Sequence, residues 1–580
     1  MMEGSSQGVG RAPMMDTPLT PLHFIARAAA FFGEKEVVSW RGAPGSVAGE
    51  GDAGGGAAHV ADPVGREITG CDIAESTRRL TWRAVYRRSL GVTSMLRAMG
   101  IRPGDRVATL AWNHHRHLEL YFGVPGAGAV LLTVNGRLAP EQVGAILEEG
   151  GARAVFADPD FAALIEGGAP PSQVEHRVLL AGSGGASGGV PEGWASFEEL
   201  LASATAEGGR AVASFRIPED ENEAAGLCFT SGTTGEPKGV LYSHRALALH
   251  TLAIALPDAF GLGERDVILP AVPMFHANAW GLPLAAAMTG ATLVLPGPRP
   301  DARRLVRLME AEAVTFAAGV PTVWGDVLEE LRRTSPELAP GLRIHSGGAP
   351  TPPSLIRAYA EEFGVEILCG WGMTELTPVG MVTRPRVDMA GLSADAFLEV
   401  RRSQGTPLPF VEARVVDGEG KEVVRDGRAK GELEVRGPWV AAGYLGGKDA
   451  GSFRNGWLRT GDVATMDARG YVRIVDRTKD LIRSGGEWIS SIQLEHALMA
   501  HPAVREAAVV AVPHPRWGER PWAYLVAEEG VRPPVDEILG SLQASFPRWW
   551  IPDGASLVSE LPRTATGKTD KKVLRDVGAG

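Results

Sequence analysis

Between Phe229 and Gly239 the chain reads Phe-Thr-Ser-Gly-Thr-Thr-Gly-Glu-Pro-Lys-Gly, so that Thr230, Ser231, Thr233 and Thr234 set hydroxyls among Gly232, Gly235 and Gly239. Such a stretch offers free backbone N–H groups, short O–H donors and room for a phosphate chain to lie against the backbone. Lys238 adds a mobile point charge. The chemistry is that of a cradle for a nucleoside triphosphate. It is not a Walker loop, which needs a glycine, four residues and then Gly-Lys-Ser/Thr, because Gly235 is followed by Glu236-Pro237. Two other runs mimic nucleotide motifs without their context. Gly567-Lys568-Thr569 has Pro562 where a Walker glycine belongs, and Gly49-x-Gly51-x-x-Gly54 has no strand before it and no helix after it.

Further along, Gly370-Trp371-Gly372-Met373-Thr374-Glu375 brings a ring on which a base could stack, a hydroxyl, and a hard carboxylate oxygen of the kind Mg²⁺ takes together with phosphate oxygens. Ser346-Gly347-Gly348-Ala349-Pro350 ends an apolar run with glycines, as a crevice for a flat purine requires. Asp462, closing Thr460-Gly461-Asp462, is a carboxylate able to accept two O–H bonds. In Pro273–Trp280 and Gly319-Val320-Pro321 a histidine and an indole stand beside small residues and could shape an apolar slot with one polar end. The run Asn113-His114-His115-Arg116-His117 reads as a solvated or capping loop, since adjacent imidazoles lack helical ligand spacing and no carboxylate completes a metal set.

With Trp457-Leu458-Arg459-Thr460-Gly461-Asp462, Asp476-Arg477-Thr478-Lys479-Asp480 and Pro562-Arg563-Thr564-Ala565-Thr566-Gly567-Lys568, these stretches resemble in order and spacing the adenylate-forming superfamily of acyl-CoA synthetases, luciferases and peptide-synthetase adenylation domains. The resemblance spans residues 17 to 576 and is closest to the medium- and long-chain fatty acyl-CoA synthetases. It implies an ATP-dependent ligase that makes an acyl-adenylate and passes the acyl group to CoA, or alternatively to a carrier protein. The resemblance gives catalytic roles to Thr230, Lys238, Glu375 and Lys568, and puts Mg²⁺ on Thr230 and Glu375. It lays ATP along Thr230, Ser231, Gly232, Thr233, Thr234 and Gly235, with Gly347, Gly348, Gly370, Trp371 and Thr374 around the purine and α-phosphate. Asp462, Arg477, Lys479 and Arg483 complete that set, Lys479 also being the hinge. His276, Ala277, Trp280 and Val320 then line the acyl pocket, with Trp280 at the mouth of the tunnel, and Gly485, Gly486 and Trp488 face the CoA tunnel. Three departures are informative. Trp371 stands where the family usually has tyrosine, Arg483 stands where lysine is common, and no aspartate is present for a substrate amine, which favours an uncharged acyl chain.

The elements that must hold these residues follow from periodicity. Strands alternating with helices from Thr81 onward predict mostly parallel sheets covered on both faces. Short β segments from Gln404 predict a small barrel-like subdomain, and the last hundred or so residues predict an α+β lid. The expected division is a disordered N-terminus (1–16), an adenylation domain (17–476, with a flexible insertion at 43–66 and a β-rich part at 404–476), a hinge (477–482) and a C-terminal lid (483–580). At 580 residues more than one domain is the prior. A formal net charge of -11 argues against non-specific nucleic-acid or anionic-membrane binding. Cys71, Cys228 and Cys369 lie far apart and outline neither a disulfide framework nor a zinc site. With no apolar run near the 18 or so residues of a membrane span, the expectation is a cytoplasmic protein acting on a small carboxylic acid, ATP and CoA. The oligomeric state is open, a homodimer being one option.

Overall fold

The computed structural model describes residues 14–40, 76–168, 170–181, 190–205, 214–230, 237–484, 487–528, 530–531, 533–564 and 568–578. The insertion at 43–66, the Gly/Ser tract at 182–189, Ser231–Gly235 of the phosphate loop and Gly485-Gly486 lie outside the described residues.

Short apolar runs such as Arg106–Leu110, Val130–Thr133 and Ala152–Ala157 have no polar face to offer water, so they become strands buried on both sides. With His176–Leu179, Ala195–Ser196, Ala224–Phe229 and Gly239–Ser243 they form a seven-stranded sheet, parallel except for its last strand. A nine-stranded sheet runs from Thr406–Pro407 through Glu366–Gly372, Arg343–Ser346 and Phe316–Gly319 to Glu36–Trp40 and Thr77–Thr81. The last two strands pair antiparallel. Helices Trp82–Ala98, His115–Gly126, His244–Ala255 and Leu282–Thr289 share one apolar core with the inner faces of both sheets. Separate cores join the outer faces to helices Ala302–Ala311, Pro321–Thr334 and Pro353–Phe363 on one side and Pro140–Glu149 and Pro159–Gly167 on the other. The layers therefore run helices, sheet, helices, sheet, helices.

From Glu412 the pattern changes to a five-stranded antiparallel sheet, Glu412–Val416, Gly431–Arg436, Phe453–Arg454, Trp457–Met466 and Val472–Arg477. The C-terminal domain is a second five-stranded sheet with helices Ser491–Met499, Val535–Ser541 and Lys571–Gly578. Its central ribbon, Val504–His514 against Gly518–Ala527, outruns the strands that the apolar runs predict near 508–512 and 523–526. The helix that the sequence pattern predicts near 535–546 stops at Ser541 and tightens into a 3-10 turn, Leu542–Ala544. No helix among the described residues is long and apolar enough to cross a membrane.

The histidine run is a cap, but it is not solvated. His114 Nδ1 accepts from His117 N at 3.3 Å while Nε2 meets Asp158 at 2.8 Å, and His115 and His117 are buried. Burial holds the His117 imidazole down to about 3, so it stays neutral. One turn on, Glu119 is fully buried and bonded by Arg88 Nε at 2.7 Å, with Glu198 shared between Arg88 and Arg116. Burial raises the Glu119 pKa even against Arg88. Arg88→Met should strand that carboxylate and cost roughly 3 to 5 kcal/mol, read as a lowered midpoint in chemical unfolding. The double variant Arg88→Met/Glu119→Leu should recover much of the loss, and if it does not, the pair is not the source of the effect.

Candidate active site

The apolar run before the loop and the Ala-rich run after it predict strand, loop, then helix. The structure inserts a second strand, Gly239–Ser243, antiparallel to Ala224–Phe229 with Phe229 opposite Gly239, before helix His244–Ala255 begins. Val240 and Tyr242 face the core and Leu241 faces out, a two-residue alternation too short to stand out in the sequence. At the base of the hairpin, Thr230 N donates to Lys238 O at 2.9 Å and Lys238 N donates to Thr230 Oγ1 at 3.2 Å. Thr230 is thereby fixed at the mouth of the loop.

Lys238 does not hang free. Its ammonium pairs with Asp449 and lies 5.1 Å from the centre of the Tyr444 ring. The Tyr444 hydroxyl in turn donates to Glu375 Oε1 at 2.5 Å. Burial and the Glu375 carboxylate push the Tyr444 phenol up, so that it remains a donor. Glu375 stands on the turn Thr374–Leu376 that ends strand Glu366–Gly372 and is only 5 % exposed. Thr374 O accepts from Tyr242 Oη at 2.7 Å, which ties this turn to the hairpin. Loop base, cation and carboxylate thus form one hydrogen-bonded unit through two tyrosines that motif reading missed. Tyr444 and Asp449 sit in a Gly-rich connection with no periodic signal, and only the fold brings them to the hairpin.

Of the glycines expected at the purine, Gly348 is held by its backbone conformation and Gly370 by its neighbours. Gly348 has φ +81, and a Cβ there would lie 3.3 Å from Val320 and 3.8 Å from Lys568 Cε. At Gly370 a Cβ would come within 2.4 Å of the buried His345 ring. Trp280 meets His345 edge-on, centroids 5.2 Å apart, and approaches Gly347, so the residues expected at the acyl slot and at the purine lie side by side. Trp280 itself rides on an unusual turn. Ala277, Asn278, Ala279, Trp280 and Gly281 have φ of 43, 57, 46, 58 and 81, a run of left-handed residues. His276, just before it, is held down to about 4 by burial, then by Lys568 and Arg137, and is therefore neutral.

Trp371 is packed against Leu376 and Gly380, and its Nε1 donates to Asp462 Oδ2 at 2.8 Å. The other oxygen, Oδ1, takes Arg477 Nε at 2.9 Å. Indole, carboxylate and guanidinium are thus locked together along the edge of the crevice. Lys479 lies in a turn closed by Asp480 N and Leu481 N on Arg477 O, both 2.9 Å. Arg483 and Trp488 face each other across strands Ile482–Ser484 and Glu487–Ile489, the guanidinium 4.2 Å from the ring centre, on an exposed face of the C-terminal sheet. Among the described residues no bond or ring contact joins them to the phosphate-loop group. Lys568, by contrast, reaches the centre. Burial and the charges of Arg477 and Lys479, partly offset by Asp462 and Glu375, lower its ammonium to about 8. Beside the slot, Arg137 and Arg299 lie over the rings of Phe275 and Trp112, each 5.9 Å from the ring centre. Desolvation and the charge of Arg299 lower the Arg137 pKa.

This geometry has relatives. Residues 59–445 match the model of the AMP-binding enzyme family and 493–568 that of the AMP-binding enzyme C-terminal domain. The chain is 43% identical to a long-chain-fatty-acid–CoA ligase of Thermus thermophilus, across 99% of this chain and 98% of that one. It is 41% identical to a 3-methylmercaptopropionyl-CoA ligase of Ruegeria pomeroyi, across 97% and 98%. An anthranilate CoA ligase solved with anthranoyl-AMP superposes with a TM-score of 0.77 at 27% identity, covering 86% of this chain and 92% of that one. The chain therefore belongs to the AMP-binding enzyme family, and within it to the AMP-forming acyl-CoA ligases.

A lysine that stabilises phosphate charge works only as the ammonium. Since the Lys568 pKa is lowered to about 8, kcat/KM for ATP should be flat below that pH and fall as pH rises through it. In Lys568→Arg any residual activity should lose this alkaline limb, because a guanidinium stays charged there. A wild-type profile flat to pH 10 would remove Lys568 from that role.

Proposed function

We propose that the protein activates an uncharged apolar carboxylic acid, fatty or thioether in type, for transfer to CoA. The carboxylate oxygen attacks the α-phosphorus of ATP, the bond to the β-phosphate oxygen breaks, and pyrophosphate leaves. The thiol sulfur of CoA then attacks the acyl carbonyl, loses its proton, and AMP departs with both electrons of the acyl–oxygen bond. The first step needs no protein nucleophile, so the protein's share is charge neutralisation and alignment. The observation that carries this reading is the meeting of Lys568, from the end of the chain, with Asp462, Arg477, Glu375 and Gly348 in one crevice.

Asp462 keeps lone pairs for ribose hydroxyls beyond the two bonds it accepts, and Gly347, Gly348 and Gly370 leave a flat space for the purine. Lys238 would exchange Asp449 for a phosphate oxygen. The oxygens of Thr230 and Glu375 suit Mg²⁺, which when bound would neutralise phosphate charge. Among the described residues no group of three His, Cys, Asp or Glu could hold an ion, so phosphate and water would supply its remaining ligands. The neutral His276 and Trp280 fit a slot for an acyl chain and disfavour a charged one. Arg137 and Arg299 offer cations to a polyanion such as CoA, and a carrier protein is the less favoured acceptor. In this reading residues 17–476 bind ATP and acid, 477–482 turn, and 483–580 serve each step.

The names of the relatives run from long-chain fatty acids to 3-methylmercaptopropionate, so the decisive experiment is pyrophosphate release with saturated acids of four to eighteen carbons and 3-methylthiopropionate, with and without CoA. Release with one group of these acids and thioester only with CoA is expected. Glu375→Gln should cut the adenylation rate by on the order of 10²-fold, and a near wild-type rate at saturating Mg²⁺ would sink its assignment.

Trp280→Ala should shift the chain-length profile while ATP affinity holds, because the indole borders the slot and touches the nucleotide side only through Gly347 and Gly348. An unchanged profile in a folded variant would return Trp280 to a packing role alone.

A further inference from the structure

A buried cluster outside the crevice is used by none of the chemistry above. Asp476, 1 % exposed, is the next-to-last residue of strand Val472–Arg477, just before the turn at Lys479. Its Oδ1 accepts from Arg477 N at 2.8 Å, and its Oδ2 accepts from both Ser491 N at 2.6 Å and Ser491 Oγ at 2.7 Å. Ser491 begins helix Ser491–Met499 of the C-terminal domain, so these bonds cross from one domain to the other. The preceding Ser490 Oγ donates to Val475 O at 2.6 Å. Lys571, three residues beyond Lys568, donates to Ser491 Oγ and pairs with Glu495 Oε1, both at 2.6 Å. Glu495 Oε1 also accepts from Val509 N at 2.8 Å, which fixes it to the C-terminal sheet. Farther along the same helix, His496 donates to the carbonyl of Pro350, the residue that closes the purine-crevice glycines. Burial lowers Lys571 but Glu495 and Asp476 outweigh it, so the amine is charged.

Each of these contacts serves one geometric purpose. Lys568 can stand beside Gly348 and Asp462 only if the C-terminal domain keeps one orientation and the loop before Lys571 keeps one path. Asp476 and Pro350 hold the helix to the body, while Lys571 holds the Lys568 loop to that helix. We propose that Asp476 and Lys571, acting through Ser491 and Glu495, are positioning residues that dock the C-terminal domain and so place Lys568 for adenylate formation. This rests on the reading above that Lys568 serves the first half-reaction. A domain that turned at Lys479 would carry Glu495 and Lys571 with it and abandon Asp476. The Asp476–Ser491 contact is therefore specific to the docked orientation, whereas the Lys571–Glu495 pair is not.

Two independent readouts test this, one of which needs no acid. Competitive labelling with acetic anhydride, mapped by peptide mass spectrometry, should show Lys568 reacting several-fold faster in Asp476→Asn, Ser491→Ala and Lys571→Met than in the wild type, with Lys571→Arg close to wild type. With octanoate as probe, ATP–pyrophosphate exchange should fall by about tenfold or more, since a displacement near 1 Å can cost 10²-fold. Thioester formation from synthetic octanoyl-adenylate and CoA should stay within about twofold. Ser491→Ala removes a single hydroxyl and decides the matter should the charged-site variants fail to fold. Unchanged Lys568 labelling in folded Asp476→Asn and Ser491→Ala, or equal slowing of the two half-reactions, would overturn the proposal. If the wild type releases no pyrophosphate with any acid, the functional reading fails while the labelling arm still judges the dock.

Discussion

The arrangement depends on holding a lysine from the end of the chain inside a crevice built by the body of the protein. A desolvated ammonium is costly unless acids face it, and Lys568 has Asp462 and Glu375 on one side against Arg477 and Lys479 on the other, with its pKa drawn down to about 8. Two cations already near the same point oppose it. Three positive side chains and a short supply of acid make a well of positive potential there, one that a polyanion would relieve. The mutual repulsion of these cations and their pull on an anion are one electrostatic fact.

The same logic governs Lys238 and Glu375. If left unpaired beside the hairpin, either would be free to wander. Asp449 and Tyr444 instead give each a partner of the kind that a nucleotide could replace: a half-exposed carboxylate for the cation and a phenol for the acid. Because the Tyr444 ring also lies under the Lys238 ammonium, the two groups are kept in register. A site whose charges are already parked in place loses less freedom when the substrate arrives than one that must gather them.

How much of this could be read from the sequence follows from the range of each interaction. The phosphate loop, the Gly370–Glu375 turn and Asp462 are local signals, in which residue types and spacing lie within one turn or one loop. Strands such as Arg106–Leu110 and helices such as Pro140–Glu149 were legible because full burial or amphipathic spacing repeats over several residues. The second hairpin strand was missed because five residues carry too little periodicity. Tyr242, Tyr444 and Asp449 could not be found in advance, since each matters through a partner far away in the chain. Arg483 and Trp488, which the resemblance puts at the nucleotide and the CoA tunnel, lie across from each other on an exposed face of the C-terminal sheet.

The turn Ala277–Gly281 shows where the fold accepts strain to shape the slot. Each non-glycine residue in the left-handed region costs on the order of 1 to 2 kcal/mol, and four stand in sequence here. Burial offsets part of that cost, for Ala277, Asn278, Ala279 and Trp280 are all inside. Tyr121 adds a fixed point, donating to Met274 O at 2.5 Å and lying 3.2 Å from Asn278 Oδ1. In a right-handed turn the side chains would leave the backbone in another direction, and Trp280 could not meet His345 and the Gly347–Gly348 segment at once. The indole's place is therefore fixed by backbone handedness more than by rotamer choice, so its contact with His345 and Gly347 is as rigid as the turn beneath it. A substitution at Asn278 or Tyr121, neither of which borders Gly347 or Gly348, acts on that contact through the turn.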